Sequence, residues 1–514
     1  MAVATRPEDG SHLLWIMVQQ YVNKYPEDAI LLWKGSAMRR AVWITIALIL
    51  ALSAALPAAE LWIGAASRDI TPNQPVALSG QRNVRISKKP ETPISATALA
   101  LESREGERVL DRAILVSCDL VAIRPGILQQ VRDKVQLRLP DFDVMRLFLA
   151  ATHTHTAPVM IEGRYSLPDS GIMRPAEYAE FMTDRVAEAI VESWEKRQIG
   201  KTSWGLGHAV VAQNRRAVYA DGSAVMYGST NSERFRGIEG YEDHDLDVLF
   251  FWDRENRLIA TAINVPCPAQ EVGGQTSLHA DFWHPVRQML RERHGEALHV
   301  LGWTGASGDQ SPRPMYRQAA DERMRKLRGL TRLEELARRI VRGWDEAYEA
   351  AQRDIRSDVV LQHHVQEIEL PYRQVTEAEV AAARQEAARY ADDPVQLWNY
   401  RWHQGVVERF ESQQAQGVGN YLMELHALRL GDVAIATNEF ELYTDFGVQI
   451  KARSPAVQTF VIQLTGSAGY LPSERAVRGG GYGAVIQSSR IGPDGGQVLV
   501  ERTVEAFQQL WAAP

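Results

Sequence analysis

The chain has 514 residues, 45% hydrophobic and 24% charged, a composition that excludes intrinsic disorder and allows one large α/β core. Its formal net charge is −7, with 57 Lys and Arg dispersed among 64 Asp and Glu. No basic stripe runs along the sequence, so nucleic acid is excluded as an expected partner.

In chain order, the first signal is Met38-Arg39-Arg40, followed by an apolar run from Ala41 to Leu56 and then Pro57-Ala58-Ala59. As a helix this run spans about 24 Å, short of the ~30 Å hydrocarbon core of a bilayer. A basic start, a short apolar stretch and small residues at its end read as a secretory signal, with an N-terminal anchor as the alternative. The expectation is an upstream extension and signal over residues 1–59, with Met38 the true start and a catalytic domain over 60–514. The protein is then exported, periplasmic or secreted, with no permanent membrane span after signal removal. Cys118 and Cys267 are the only cysteines, and the sequence leaves open whether they pair or stay as buried thiols.

Beyond the signal, strand-like and helix-like segments alternate, which predicts an α/β fold. Residues 319–416 read as a helical covering insertion. Gly329 interrupts a helical pair there, Thr331 with Glu334 forms a capping box, and Leu333, Leu336, Ile340 and Trp344 share one face. Thr376 with Glu379 opens an Ala-rich helix that Asp392-Asp393-Pro394 stops.

Five polar clusters each follow a short apolar, β-prone run. They begin at His153-Thr154-His155, Cys267-Pro268-Ala269-Gln270-Glu271, Gly305 to Pro312, Asn438-Glu439-Phe440-Glu441 and Gly466 to Tyr470. Sites in α/β sheets collect at carboxyl ends of strands, so five such clusters predict a common mouth. Histidines two apart in an extended segment share a face and can reach one metal or substrate. Glu439 and Tyr470 are candidate oxygen ligands. The Gly305–Pro312 loop offers backbone N–H groups for an oxyanion, with Ser311 as nucleophile or orienter, though it lacks the Gly-Lys-Ser/Thr ending of a phosphate loop.

Several of these residues occur in a recognisable combination. Leu61 to Ala66 with Asp69-Ile70-Thr71-Pro72, Ala151 to Pro158 around the histidine pair, Asn214-Arg215, Gly308 to Pro312 and Asn438-Glu439-Phe440 resemble, in that order, the neutral ceramidase superfamily. The resemblance runs from about residue 60 to the C-terminus. It implies a mixed α/β catalytic domain with one zinc that activates water to cleave an amide. Carried over residue by residue, it makes His153, Glu439 and Tyr470 metal ligands, His155 and Arg215 catalytic, and Ser311 with Asp309 part of the catalytic loop.

Two departures mark a divergent bacterial branch. Pro268 stands where relatives carry a zinc-binding histidine, so His279 is predicted to replace it, with Gln270 and Glu271 as nearby alternatives that otherwise bind substrate alongside Asn438 and Glu441. The chain also stops before the C-terminal β-sandwich of the ceramidases. The leading expectation is a metal-dependent hydrolase of N-acyl amides, such as a sphingolipid. The alternative is a carbohydrate-active enzyme, a glycoside hydrolase or lyase, that uses His153, His155, Glu439 and Glu441 as acid and base groups. An apolar, lipid-sized channel favours the first and a polar, aromatic-walled cleft the second.

Overall fold

Period-two alternation along the strands divides the core into layers. The computed structural model describes residues 59–512, and the signal expected at Met38 lies outside them. In β1 (Glu60–Asp69), Leu61 and Ile63 face the same interior as Leu99 and Leu101 of β2 (Ser95–Glu105). Ala113 and Leu115 of β3 (Arg108–Cys118) and Phe148 and Ala150 of β4 (Leu147–Ala151) join them. The intervening residues, Ala96, Ala98, Ile114, Val116, Leu147 and Leu149, point to the opposite face. There they pack under α1 (Ile127–Arg138) and α2 (Pro175–Glu195).

The same sheet continues through β5 (Gln198–His208), β6 (Asp245–Trp252), β7 (Leu258–Val265) and β8 (His299–Thr304). Its order is β8-β7-β6-β5-β1-β2-β3-β4, antiparallel except for the parallel pairs β3/β4 and β7/β8. The sheet curls until its two ends meet. The Thr304 hydroxyl donates to the Ala151 carbonyl at 3.2 Å and the Ser117 hydroxyl to that of Gly302 at 2.7 Å. This contact brings the loops after β4 and β8 together, although those strands lie at opposite ends of the order.

The outer face of β5 to β8 is covered by α3 (Trp283–His294) and, beyond the short α4 (Gln318–Leu327), by α5 (Arg332–Ala351). Leu336, Ile340 and Trp344 of α5 are buried there, and Thr331 and Glu334 form the expected capping box. Residues 319–416 are not wholly helical, however. Their middle forms β9 (Leu361–Pro371), which pairs with β10 (Asn420–Leu430) at the edge of a second sheet, β9-β10-β11-β12. Its last strands, β11 (Val433–Thr437) and β12 (Gln458–Ile462), run parallel. In β9, Leu361, Ile368 and Leu370 are buried against the sheets, while polar residues between them break up the apolar pattern. Beyond α5, α6 (Glu377–Tyr390), with the expected Thr376–Glu379 box, and α7 (Leu397–Gln416) form a helical pair that packs on Ile486.

The second sheet lays Leu428, Val433, Ile435, Phe460 and Ile462 against the first. Its other face is covered by α8 (Thr444–Arg453) and α9 (Pro493–Ala512). The layers are thus helices, sheet, sheet, helices, an α/β fold whose strands are buried on both faces. Cys118 and Cys267 are separate buried thiols. Among the described residues no helix is long and apolar enough to cross a membrane.

Candidate functional site

All five polar clusters follow observed strands: β4, β7, β8, β11 and β12. In the first, His153 and His155 converge, but not as two residues on one face of a strand. His153 adopts φ 68°, a left-handed conformation that costs a non-glycine residue about 1 kcal/mol or more, and the chain turns there. The Nε2 atoms of the two rings come within 3.0 Å. His153 Nδ1 lies 2.7 Å from the Val121 carbonyl. A carbonyl can only accept, so Nδ1 carries a proton, and Nε2 is the nitrogen that faces the site.

His155 is boxed in. A Cβ at Gly80, where φ is 93°, would lie 2.6 Å from its Cγ, and one at Gly273 would lie 2.9 Å from its Cβ. Arg85 ties the box by donating to the carbonyls of His155 at 2.6 Å and Gly273 at 2.8 Å. Burial, then the charges of His153, Arg215, Arg85 and Arg164, hold the His155 pKa well below the ordinary imidazole range. It is a neutral ring.

The carboxylate that meets this pair is Glu441. A short parallel bridge pairs Glu441 with Tyr470 and sets Glu441 Oε2 3.4 Å from His153 Nε2. Burial alone raises the Glu441 pKa, but His153, Arg215 and a hydrogen bond from the Tyr470 hydroxyl outweigh it and leave the group lowered. Burial and Glu441 together push Tyr470 well above the usual phenol range, so it acts as a donor. Arg215 completes the wall, with Nη1 donating to the Tyr227 hydroxyl at 3.0 Å and Nη2 to the Gly308 carbonyl at 2.9 Å. Its Nη2 lies 3.5 Å from the Tyr470 hydroxyl, and Gln270 Nε2 donates to Tyr227 at 3.3 Å.

Other predicted residues lie elsewhere. Glu439 accepts a 2.5 Å hydrogen bond from the Tyr421 hydroxyl, packs on Gly466 and makes no hydrogen bond or ion pair with either histidine. The cause is local: Asn438 Oδ1 accepts from the Phe440 N–H at 3.1 Å. This side-chain turn reorients the chain between Glu439 and Glu441. Asn438 thus serves as a turn residue, and Glu441 rather than Glu439 is the carboxylate beside the histidine pair.

The contacts of His279 lie with the loop around it and not with the His153 and His155 rings. Its carbonyl accepts from the hydroxyls of Thr154 at 2.6 Å and Thr156 at 2.9 Å. Its ring accepts from the Asp281 N–H at 2.8 Å and lies edge-on to His284. The loop therefore supports the His153–His155 turn through its backbone. Glu271 faces Arg332 at 3.6 Å instead of the histidines.

The glycine-rich loop also differs from expectation. The N–H groups of Gly305, Ser307, Gly308 and Gln310 all have partners within the protein. The loop contributes a carbonyl, that of Gly308, which holds Arg215. Asp309 is a buried knot: Oδ1 accepts from Thr444 N and Oγ1 at 3.0 and 2.7 Å, and Oδ2 from Asn214 at 2.9 Å. The Ser311 hydroxyl is buried and accepts from the Arg313 N–H at 3.0 Å. Neither touches the histidine pair.

Residues that sequence reasoning passed over include Arg85, Arg124, Arg164, Tyr227 and Tyr482. Of these, only Tyr482 stood beside a signal, the loop-forming run Gly479-Gly480-Gly481.

A zinc ion fits the chemistry of the central donors. His153 presents Nε2 towards His155 and Glu441, and Glu441 and Tyr470 add two oxygens. Ligands about 2.0–2.1 Å from a tetrahedral zinc lie roughly 3.3 Å apart, near the 3.4 Å between His153 and Glu441. No group of three or more His, Cys, Asp or Glu residues takes a metal-binding arrangement among the described residues. A resident ion therefore depends on Tyr470 as third donor, with His155 adjacent.

No family model and no curated protein matches the chain. Among solved structures, the neutral ceramidase from Pseudomonas aeruginosa superposes with a TM-score of 0.62 at 14% identity, covering 88% of this chain and 75% of that one. A ceramidase complexed with C2 gives 0.61 at 13% identity over the same shares. The likeness defines the class of fold, a neutral-ceramidase-like α/β architecture.

Proposed function

We propose that the chain is an exported hydrolase in which His153, His155, Glu441, Tyr470 and Arg215 form a metal-assisted centre for cleaving an N-acyl amide bond. Export rests on the signal pattern at Met38. The observation that carries the catalytic reading is the approach of His153 Nε2 to the Glu441 carboxylate at 3.4 Å. The same nitrogen lies 3.0 Å from His155 Nε2, and a cation between these groups, a proton or a metal ion, would satisfy all three.

Zinc held by His153, Glu441 and Tyr470 would polarise the substrate carbonyl and bring the pKa of water towards about 7. The protein's own groups supply the rest. Neutral His155 is in the correct state to take a proton from attacking water and return it to the leaving amine. Arg215 stays charged and, beside the Tyr470 hydroxyl, stabilises negative charge developing on the carbonyl oxygen. The Gly80–Gly273 box keeps the His155 ring in place through the cycle.

A carbohydrate-active centre is the second reading, and one observation favours it: Arg215, Tyr227, Gln270 and Tyr470 form a connected polar and aromatic wall beside the centre. Elemental analysis of wild-type and His153→Ala protein, with N-acyl amides and oligosaccharides assayed in parallel, separates the readings. The first predicts near-stoichiometric metal that His153→Ala loses together with amide hydrolysis. Glycan cleavage by metal-free protein would replace it with the second.

A further inference from the structure

Arginines around the histidine pair outnumber the carboxylates available to them. Elsewhere Arg216 meets Glu239 at 2.6 Å and Arg287 meets Asp119 at 2.6 Å, while Arg409, without a carboxylate among the described residues, donates to the carbonyls of Ile486 and Ser489. Arg82, Arg124, Arg164 and Arg215 form no ion pair with any Asp or Glu among the described residues. Arg164 and Arg215 each keep a buried Nε without a hydrogen-bond partner.

Their placement is not scattered. Arg215 lies 3.5 Å from the Tyr470 hydroxyl, Arg124 stands three residues beyond Val121, whose carbonyl meets His153, and Arg164 packs on Tyr165, whose hydroxyl donates to the Gln81 carbonyl next to the Gly80 that cradles His155. Burial is the main cause that lowers the Arg124 pKa to about 10, and Arg164 adds to it. Arg82 is held by rings, its guanidinium carbon 5.1 Å from the centroid of Trp398, 4.9 Å from Trp402 and 5.2 Å from Tyr482. Tyr482 packs 5.5 Å from Tyr470, whose hydroxyl bonds Glu441. A row of rings thus runs from α7 to the centre, with an arginine pinned on it and its N–H groups left free. Cation–π contact fixes a guanidinium without using its hydrogen-bond donors.

Glu441 is the one carboxylate at the centre, and His153 and Tyr470 already engage it. Crowded cations and unpartnered buried donors cost free energy, and an anionic ligand would satisfy both. We infer that this site binds a substrate bearing a carboxylate or sulfate group, received by Arg124, Arg164 and the free Nε of Arg215, with Arg82 on the aromatic row as the outer contact. The inference rests on the reading of the His153–Glu441 centre as the active site. Two sources share this chemistry, an acidic saccharide and an N-acyl amino acid, and both differ from a neutral lipid amide.

Calorimetric titration with matched probes tests it: D-glucuronate against D-glucose, and N-hexanoylglycine against N-hexanoylethanolamine. At least one anionic probe should bind about tenfold tighter than its neutral twin. The preference should shrink as salt rises, and the pair that shows it identifies the source. Arg164→Gln and the Arg124→Gln/Arg164→Gln double variant should abolish the preference, whereas Arg164→Lys should retain most of it. Circular dichroism confirms that each variant is folded. Equal binding of both twins, no binding of either anionic probe, or an undiminished preference in the folded double variant overturns the inference. Failure of the catalytic reading has a separate signature: His153→Ala protein with full metal and turnover, alongside an intact anion preference.

Discussion

The molecule contains two buried histidine pairs with a glutamate beside each, and they are built for opposite ends. His363 Nε2 lies 3.0 Å from His426 Nδ1, and His426 Nε2 lies 2.8 Å from Glu424. There the carboxylate is claimed by a two-pronged contact from Arg132 at 2.6 and 3.0 Å, and its neighbouring Arg146 pairs with Asp111. An open cavity of about 370 Å³ lies against His363 and Glu424, and of the charges lining it Asp143, Arg146 and Glu424 have partners while Glu367 has none among the described residues. At His153 and His155 the ring separation is the same 3.0 Å, but the surrounding arginines lack carboxylates. Burial and paired imidazoles alone do not distinguish a site from a structural knot; unmatched charge does.

This contrast can be broken most sharply at the first pair. Replacing His155 with Ala should lower kcat/KM about 10²–10⁴-fold with little change in melting temperature, because it removes a proton-transfer group. A comparable loss from His363→Gln in a folded protein would erase the distinction.

The second pair should respond in stability instead. His426→Ala leaves Glu424 and Arg132 without their third member and should cost about 2–3 kcal/mol, read by denaturant unfolding, with turnover per folded molecule unchanged.

Its pH dependence follows from the shifts. Burial, then the like charge of His426, keeps His363 well below the usual imidazole value, and burial lowers His426. The unfolded state binds those protons more readily, so stability falls as pH drops below about 6.5. Glu424 reinforces the trend. Burial opposes the shift, but His426 and Arg132 bring the group down to about 2 from an ordinary value near 4.5. Its contribution is complete above about pH 4.5 and is lost on descent towards 2. Partial exposure limits that contribution to about 1–2 kcal/mol. Chemical unfolding of wild type and Glu424→Gln across pH 2–7 checks it, and identical acid sensitivity of the two would refute this assignment.

The smallest effect is expected at Ser311. Its hydroxyl is occupied by the Arg313 N–H, so Ser311→Ala should reduce turnover by about tenfold or less. A covalent adduct trapped on Ser311 would contradict that.

The legibility of these features in sequence follows their range. The strands before the five clusters were visible because short apolar runs end abruptly in polar residues, and both capping boxes because they span four residues. β9 was not legible, since Gln362, His364, Gln366, Glu367 and Glu369 interrupt its buried positions and it sits between helices. The exchange of Glu439 for Glu441 depends on one side-chain turn at Asn438, which local spacing does not disclose. The ring of His279 and the arginine cluster are set by loops that meet only in three dimensions.

That two-residue exchange is also where the account is most exposed. Glu439→Gln and Glu441→Gln have the same chemistry two positions apart. Measured side by side for metal content and kcat/KM, Glu441→Gln should lose metal and about 10²-fold or more in activity, while Glu439→Gln stays within about threefold of wild type. The reverse ranking, with Glu439→Gln inactive and Glu441→Gln near normal, would contradict the site described.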